Sequence, residues 1–256
     1  MKLTTDSPYE HDIFTVKQLG EHTVKIAYSS SMREPGWEDE REHVKKGTVN
    51  SSKLSNNLSR AKNMVKEYAL CNPWDYWCTF TIDPGKYDRY NLDKYFRDFS
   101  VFLQNYNRCP VEYQVKYLLV PEQHRDGAWH LHGFIKGIKP GDLYINKYGY
   151  LSWKQYEKKF GFISMDKIKD LDKCSSYILK YMTKDTDKNV TDIHRHLYYS
   201  SKGLNKAVEL YRGKADFFGK WDWEHPDGYV KIKTLDVRKD SISDYMEINN
   251  DDTKGF

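Results

Sequence analysis

The sequence predicts an α+β fold, an antiparallel sheet with helices packed on one face, and three observations predict it. Segments rich in aromatic and β-branched residues, such as "DYWCTFTID", "YQVKYLLVPEQH" and "AWHLHGFIKG", read as strands. Between them lie segments with helical apolar spacing, "NLDKYFRDFSVFLQNYNR" and "KCSSYILKYMTK". The order, strand then helix then paired strands then helix, suits an antiparallel sheet that keeps one face open for a ligand.

Taken in order, "DIFTVKQLGEHTVKIAY" is a hairpin turning at Leu19-Gly20-Glu21-His22, and "SSSMREPGWEDEREHVKKG" reads as a charged loop broken by Pro-Gly. Leu54, Leu58, Ala61, Val65 and Tyr68 repeat at helical spacing behind Ser51 or Ser52 as N-cap. The aromatic strand around Cys78 ends at Pro84-Gly85, and a strongly amphipathic helix opens on Asn91 with Leu92, Tyr95, Phe96, Phe99, Phe102, Leu103 and Tyr106 on one face. Two strands flank Asp126-Gly127, a weaker helix begins near Ser152, and "GFISMDKI" forms a short strand. Beyond Arg212, "FFGKWDWEHPDGYVKIK" reads as a closing hairpin that packs on the same domain. The expected organisation is therefore a hairpin and loop over 1–50, belonging to one main domain over 51–234, and an acidic, flexible tail over 235–256.

Composition narrows the classes. The 256 residues are 30% charged and 15% aromatic, which is globular rather than disordered. Four cysteines form no C-x-x-C pair, which argues against a zinc ribbon or a disulfide scaffold and fits a reducing compartment. No apolar run approaches a membrane span or a signal peptide, so a soluble cytoplasmic protein without membrane partners is expected. Net charge is +4, and the tail's acidity leaves about +7 on residues 1–234, a mild preference for a polyanion.

"EQHRDGAWHLHGF" carries the first chemistry. Residues two apart on a strand share a face, so His130 and His132 can converge on one ion while Leu131 enters the core. If Asp126-Gly127-Ala128 form a three-residue loop, Arg125 pairs with Trp129, His124 faces His130, and Glu122 faces His132. Two imidazoles and a carboxylate suit Mg or Mn that also holds a phosphate oxygen, and zinc fits the same ligands. A two-residue turn would slip the register and send Glu122 to the other face. Taken alone, an H-x-H strand is more often an ordinary alternating surface strand.

"SSYILKYMTK" carries the second. Tyr177, Lys180, Tyr181 and Lys184 fall within an arc of about 100°, with Cys174, Ile178, Leu179 and Met182 opposite. The bland reading is a row of boundary residues that snorkel. The chemical reading is a pair of phenols, poor nucleophiles at neutral pH unless a cation, metal or base favours the phenolate, with a lysine one turn away.

"CTFTID", "HLH" and "YILKYMTK", in this order and at these separations, resemble the HUH endonuclease superfamily, and within it rolling-circle replication initiators of phages or plasmids. The doubled Y-x-x-K is similar to the two-tyrosine class. The resemblance runs from about Trp74 to Lys184. It implies an HUH fold related to the RNA-recognition-motif topology, His130 and His132 as metal ligands, Glu122 as third ligand with His124 next, and Tyr177 and Tyr181 as nucleophiles. It further implies Lys180 and Lys184 as their paired lysines, and Thr79 and Thr81 as first-motif residues giving support and DNA contact. The implied activity is nicking and rejoining of single-stranded origin DNA through a 5′-phosphotyrosyl link, with Mg or Mn as cofactor and host helicase and polymerase as partners. No G-x-x-x-x-G-K-[ST] motor motif is present. A two-tyrosine transposase, a mobilisation relaxase and a non-catalytic single-strand-binding module are the alternatives; a relaxase would carry a third histidine where Lys136 stands.

Overall fold

The alternating patterns resolve, in a computed structural model describing residues 9–33, 51–184 and 196–248 (side chains of 51–56 and 183–184 excepted), into two compact units. In chain order the elements are β1 (Tyr9–Leu19), β2 (Thr23–Arg33), α1 (Ser51–Leu70), β3 (Tyr76–Thr81), α2 (Leu92–Tyr106), β4 (Lys116–Gln123), β5 (Trp129–Lys136), β6 (Leu143–Ile145) and β7 (Leu151–Trp153). There follow α3 (Lys154–Lys159), β8 (Ile163–Lys167), α4 (Leu171–Lys184), β9 (Tyr199–Ser200), β10 (Val208–Gly213), β11 (Ala215–Phe217), β12 (Trp223–Glu224), β13 (Val230–Asp236) and β14 (Met246–Ile248).

The unit spanning Lys46–Asn205 is built on a seven-stranded antiparallel sheet, in the order β6-β7-β8-β3-β5-β4-β9. Strand alternation sorts its side chains onto two faces. On one, Cys78 and Phe80 of β3, Leu119 of β4 and Leu131 and Ile135 of β5 meet Tyr95 and Phe99 of α2 and Tyr156 and Phe160 of α3. Each such buried aromatic or aliphatic side chain stabilises the fold by roughly 1.5–3 kcal/mol before the entropy of ordering is counted. Asn91 caps α2 as its position predicts, its side chain accepting from the Lys94 backbone N–H at 3.0 Å.

The α+β class and the antiparallel pairing match expectation, but the helices do not all lie on one face. Leu118 and Val120 of β4 and Phe134 of β5 are buried on the second face, against Val65 and Ala69 of α1 and Ile178 and Met182 of α4. The physical reason is in the strands: β4 and β5 carry apolar residues on both faces along part of their length, so water must be excluded from both. The expected Ser51 or Ser52 N-cap is also displaced, since α1 already includes Ser51; the side chains of both, and that of Leu54, lie outside those described.

The second unit, 1–45 with 206–256, departs most from the expected organisation. β1 and β2 do form the predicted hairpin, with Leu19 opposite Thr23. Their further partners, however, come from the far end of the chain: the sheet order is β10-β1-β2-β13-β12, and β11 pairs with β14. Residues 1–50 therefore do not join the 51–234 segment in one domain, and 235–256 is not simply a tail. Leu235 and Met246 are buried with Phe14, Val16, Val24 and Ile26 in this unit's core. The β12–β13 hairpin expected after Arg212 exists but belongs here, and β2 runs through Ser29–Arg33, which the polar composition had assigned to loop. Pairing over two hundred residues of separation leaves no local periodic signal. No helix among the described residues is long and apolar enough to cross a membrane.

Candidate metal and tyrosine site

β5 lies between β3 and β4, so every functional strand residue faces α4 by alternation alone. The register pairs Thr79 with His132 and Thr81 with His130 on one side, and Val120 with His132 and Glu122 with His130 on the other. Glu122, His130, His132, Thr79 and Thr81 thus share the face that carries Phe134 and α4.

The turn that sets this register differs from expectation by one residue. The loop is Arg125-Asp126-Gly127, closed by the His124 N–H donating to the Ala128 carbonyl at 2.8 Å and the Gly127 N–H to the His124 carbonyl at 2.9 Å. Gly127 has φ +87°, the left-handed conformation expected of it, but as the last loop residue. A type I turn followed by one left-handed residue requires that order, so the loop begins at Arg125 rather than Asp126. Consequently Glu122 faces His130 directly, and His124 does not pair with it. The change moves the pairing by two residues, an even number, and the carboxylate stays on the predicted face.

His132 is held on three sides. The Thr79 hydroxyl lies 3.1 Å from Nδ1, Glu122 Oε2 lies 2.8 Å from Nε2, and the Tyr181 ring stacks on the imidazole with centroids 3.9 Å apart and planes 13° apart. His130 is held more loosely, with the Thr81 hydroxyl 3.4 Å from Nδ1 and the His124 ring stacked at 3.9 Å. Thr79 and Thr81 therefore sit behind the histidines as partners of Nδ1, which leaves each Nε2 directed away from β3. That role was not legible in the sequence, where the two threonines alternate like any half-buried strand. The position of Glu122 rather than His124 against His132 follows from the same register.

The donor set fits a hard divalent ion in type. Nε2 of His132 and Oε2 of Glu122 are 2.8 Å apart, close to the roughly 3.0 Å that separates neighbouring ligands around an ion with bonds of about 2.1 Å. The ring of His130 is one step along the strand, 6.5 Å from that of His132. Among the described residues no three His, Cys, Asp or Glu side chains converge as a metal cluster, so His130 would have to swing toward the pair. Burial, then the neighbouring His124 and His132, pushes the His130 pKa from 6.5 down to about 4, which keeps the ring neutral as a ligand must be.

The same shift has a stability consequence. As pH falls below about 6.5 the unfolded chain takes up a proton that folded His130 refuses until about 4, so stability is expected to decline across that window and level off below it. His130→Gln should flatten part of the decline. Urea midpoints at pH 7.5, 5.5 and 4.5 measure it, and an unchanged slope in the variant would rule out His130 as the source.

α4 brings the phenols to this face, but not equivalently. Tyr181 is 9% exposed and joins the apolar cluster with Ile178 and Met182, whereas Tyr177 is 44% exposed. The expectation that both phenols share one solvent-facing arc is corrected accordingly: Tyr181 lies where the arc meets the apolar side, and stacking on His132 draws it in. The Tyr181 hydroxyl donates to the Tyr177 oxygen at 2.9 Å. Burial, then this contact, raises the Tyr181 pKa well above its ordinary value. Lys180 Nζ lies 5.3 Å from the centre of the Tyr177 ring. Lys184 is the last residue of α4, and its side chain lies outside those described.

One residue with a place here escaped sequence reasoning. Trp77 of β3 stands one pleat before Thr79 and meets Tyr177 at 5.5 Å and Tyr181 at 6.4 Å between ring centroids. Its parity with Thr79 and Thr81 was the available signal.

Residues 75–186 match the family model described as Replication-associated protein ORF2. Neither curated proteins nor solved structures yield a significant match. The matched segment, under half the chain, contains β3, the histidine hairpin and α4, and with them every residue of the site. This part of the chain is thus similar to the replication-associated proteins of that family, and the match supports a replication-initiator role.

Proposed function

We propose that the chain is a nicking and rejoining enzyme of the HUH, two-tyrosine type, acting on single-stranded origin DNA with Mg2+ or Mn2+. The observation that carries this reading is the meeting of α4 with the H-x-H strand: Tyr181 stacks on His132, and the Tyr177 oxygen is one hydrogen bond away. A structural helix needs no phenol pair against a histidine whose two nitrogens are already engaged.

His132, Glu122 and His130 would hold the ion. When bound, it would supply Lewis-acid charge and orientation for the scissile phosphate. Tyr177 is the phenol placed to react: it is the more exposed, and its oxygen accepts a hydrogen bond from Tyr181 that strengthens as negative charge develops there. The Tyr177 Oη–P bond forms as the P–O3′ bond breaks. The phenolic proton is released, the 3′-oxygen takes one up, and the products are a 5′-phosphotyrosyl ester and a free 3′-OH. One phosphodiester replaces another, so the reverse reaction rejoins the strand. Tyr181 is the second candidate nucleophile for a later cut. Host helicase and polymerase would extend the 3′-OH.

The test combines nicking of single-stranded origin DNA with calorimetric Mn2+ binding. His132→Ala should lose both. Full activity in EDTA, or undiminished Mn2+ binding by that variant, would sink the metal assignment, and DNA binding without any covalent product would favour a non-catalytic module. Thr79→Val, which keeps the side chain's shape but removes the partner of His132 Nδ1, should weaken Mn2+ binding about 10- to 100-fold. Unchanged affinity would show that Thr79 does not orient the ring.

A further inference from the structure

A cleft of about 680 Å³ opens beside Tyr177, lined by Trp77 of β3 and by Lys173, Cys174, Ser176, Tyr177 and Lys180 of α4. Its walls are mostly apolar, with ammonium groups from Lys173 and Lys180 and one carboxylate, Asp172. Trp77 forms an aromatic wall, its ring held edge-on by Phe134 at 5.3 Å and inclined 60° to Tyr177. A volume of this order suits a small organic ligand. We propose that the cleft receives the nucleobase immediately 3′ to the cut, the one whose 5′-phosphate becomes esterified to Tyr177.

The proposal rests on the reading of Tyr177 as nucleophile and adds where the retained nucleotide goes. In-line displacement puts the leaving 3′-oxygen opposite the attacking phenol, so the nucleotide 5′ to the cut departs away from Tyr177. The nucleotide 3′ to the cut stays attached to the phosphate and hence beside the residue that lines the cleft. Trp77 is on the correct strand face, one pleat of about 6 to 7 Å from Thr79, the partner of His132. An aromatic wall suits any base, because stacking on a ring requires only a π-face. Net positive charge at the rim suits the following phosphate; Lys173 is ion-paired with Asp170 at 3.1 Å and Lys180 lies over Tyr177, so both cations are already positioned.

The experiment uses the full chain with Mn2+ and 5′-phosphorylated oligothymidylate carrying 5-iododeoxyuridine at its first position. Irradiation followed by peptide mapping should place the cross-link on Trp77 or Tyr177. A 3′-phosphorylated oligothymidylate with the same label at its last position should cross-link there at least about tenfold less. Trp77→Leu should weaken binding of the 5′-phosphorylated oligonucleotide about tenfold, while an oligonucleotide abasic at the first position should be insensitive to the substitution. Cross-links outside β3 and α4, or equal losses with intact and abasic oligonucleotides, would overturn the cleft assignment. The wild-type cross-link does not depend on the variant folding. Nicking on Tyr177 without a Trp77 or Tyr177 cross-link refutes the cleft alone; a cross-link there with no covalent nicking product under any condition refutes the catalytic reading and leaves a base-binding cleft.

Discussion

Tyr177→Phe is expected to abolish the covalent protein–DNA adduct, lowering nicking by on the order of 10⁴-fold or more, because the substitution removes the attacking oxygen and nothing else. Tyr181→Phe should behave differently. It keeps the ring stacked on His132 and removes only the hydroxyl that donates to Tyr177. A hydrogen bond to a group gaining charge contributes about 1.5–3 kcal/mol, so the first cut should slow about 10- to 100-fold with the adduct still on Tyr177. Denaturing gels and mass spectrometry of the adducted peptide measure both effects. Wild-type adduct found on Tyr181 instead would reverse the order of the two phenols. An adduct that persists in the double variant would remove both from the chemistry.

Gly133→Ala is expected to be the most damaging single-methyl change in the hairpin. A Cβ at Gly133 would meet the Leu118 carbonyl oxygen at 2.0 Å and the Leu119 Cα at 3.1 Å. Both neighbours are backbone, so no rotamer change relieves the clash and β4 must move against β5. A loss of about 3 kcal/mol or more is expected. Because Gly133 follows His132 directly and β4 carries Glu122, Mn2+ binding should fall with it. Gly141→Ala, where nothing lies within 4 Å, is the control and should stay within about 0.5 kcal/mol of wild type. Equal denaturant midpoints for the two variants would show that β4 and β5 tolerate the displacement.

Gly133 also illustrates how far local reading reaches. In "HLHGF" the alternation placed Leu131 in the core and the histidines on the opposite face, and the structure agrees: Leu131 is fully buried with Cys78 and Ile135. Nothing local indicated that the neighbouring strand passes so close that only glycine fits. The turn shows the same boundary. Asp126-Gly127 announced a loop with a left-handed glycine, but whether glycine stood in the middle or at the end depended on which backbone groups close the hairpin. Periodicity of two protected the conclusion about Glu122's face from that error, though not its pairing partner.

α4 was legible as an amphipathic helix with both phenols on one side. Its tilt against the sheet was not, and the tilt decides that Tyr181 is covered while Tyr177 is open. In the unit formed by residues 1–45 and 206–256 the gap is wider. Each strand there is recognisable, yet β2 pairs with β13 two hundred residues later, and no property of either segment names the other.

By itself, then, the sequence determined the elements of the matched segment, the face shared by Glu122, His130 and His132, and the set of side chains able to do the proposed chemistry. These follow from periods of 2 and 3.6, which are covalent properties of the chain. Tertiary structure alone decided the strand order, the covering of both sheet faces, the threonines behind the histidines and the inequality of the two tyrosines. Each of those depends on contacts between residues far apart in sequence, where packing and the exclusion of water, not local geometry, select the partner.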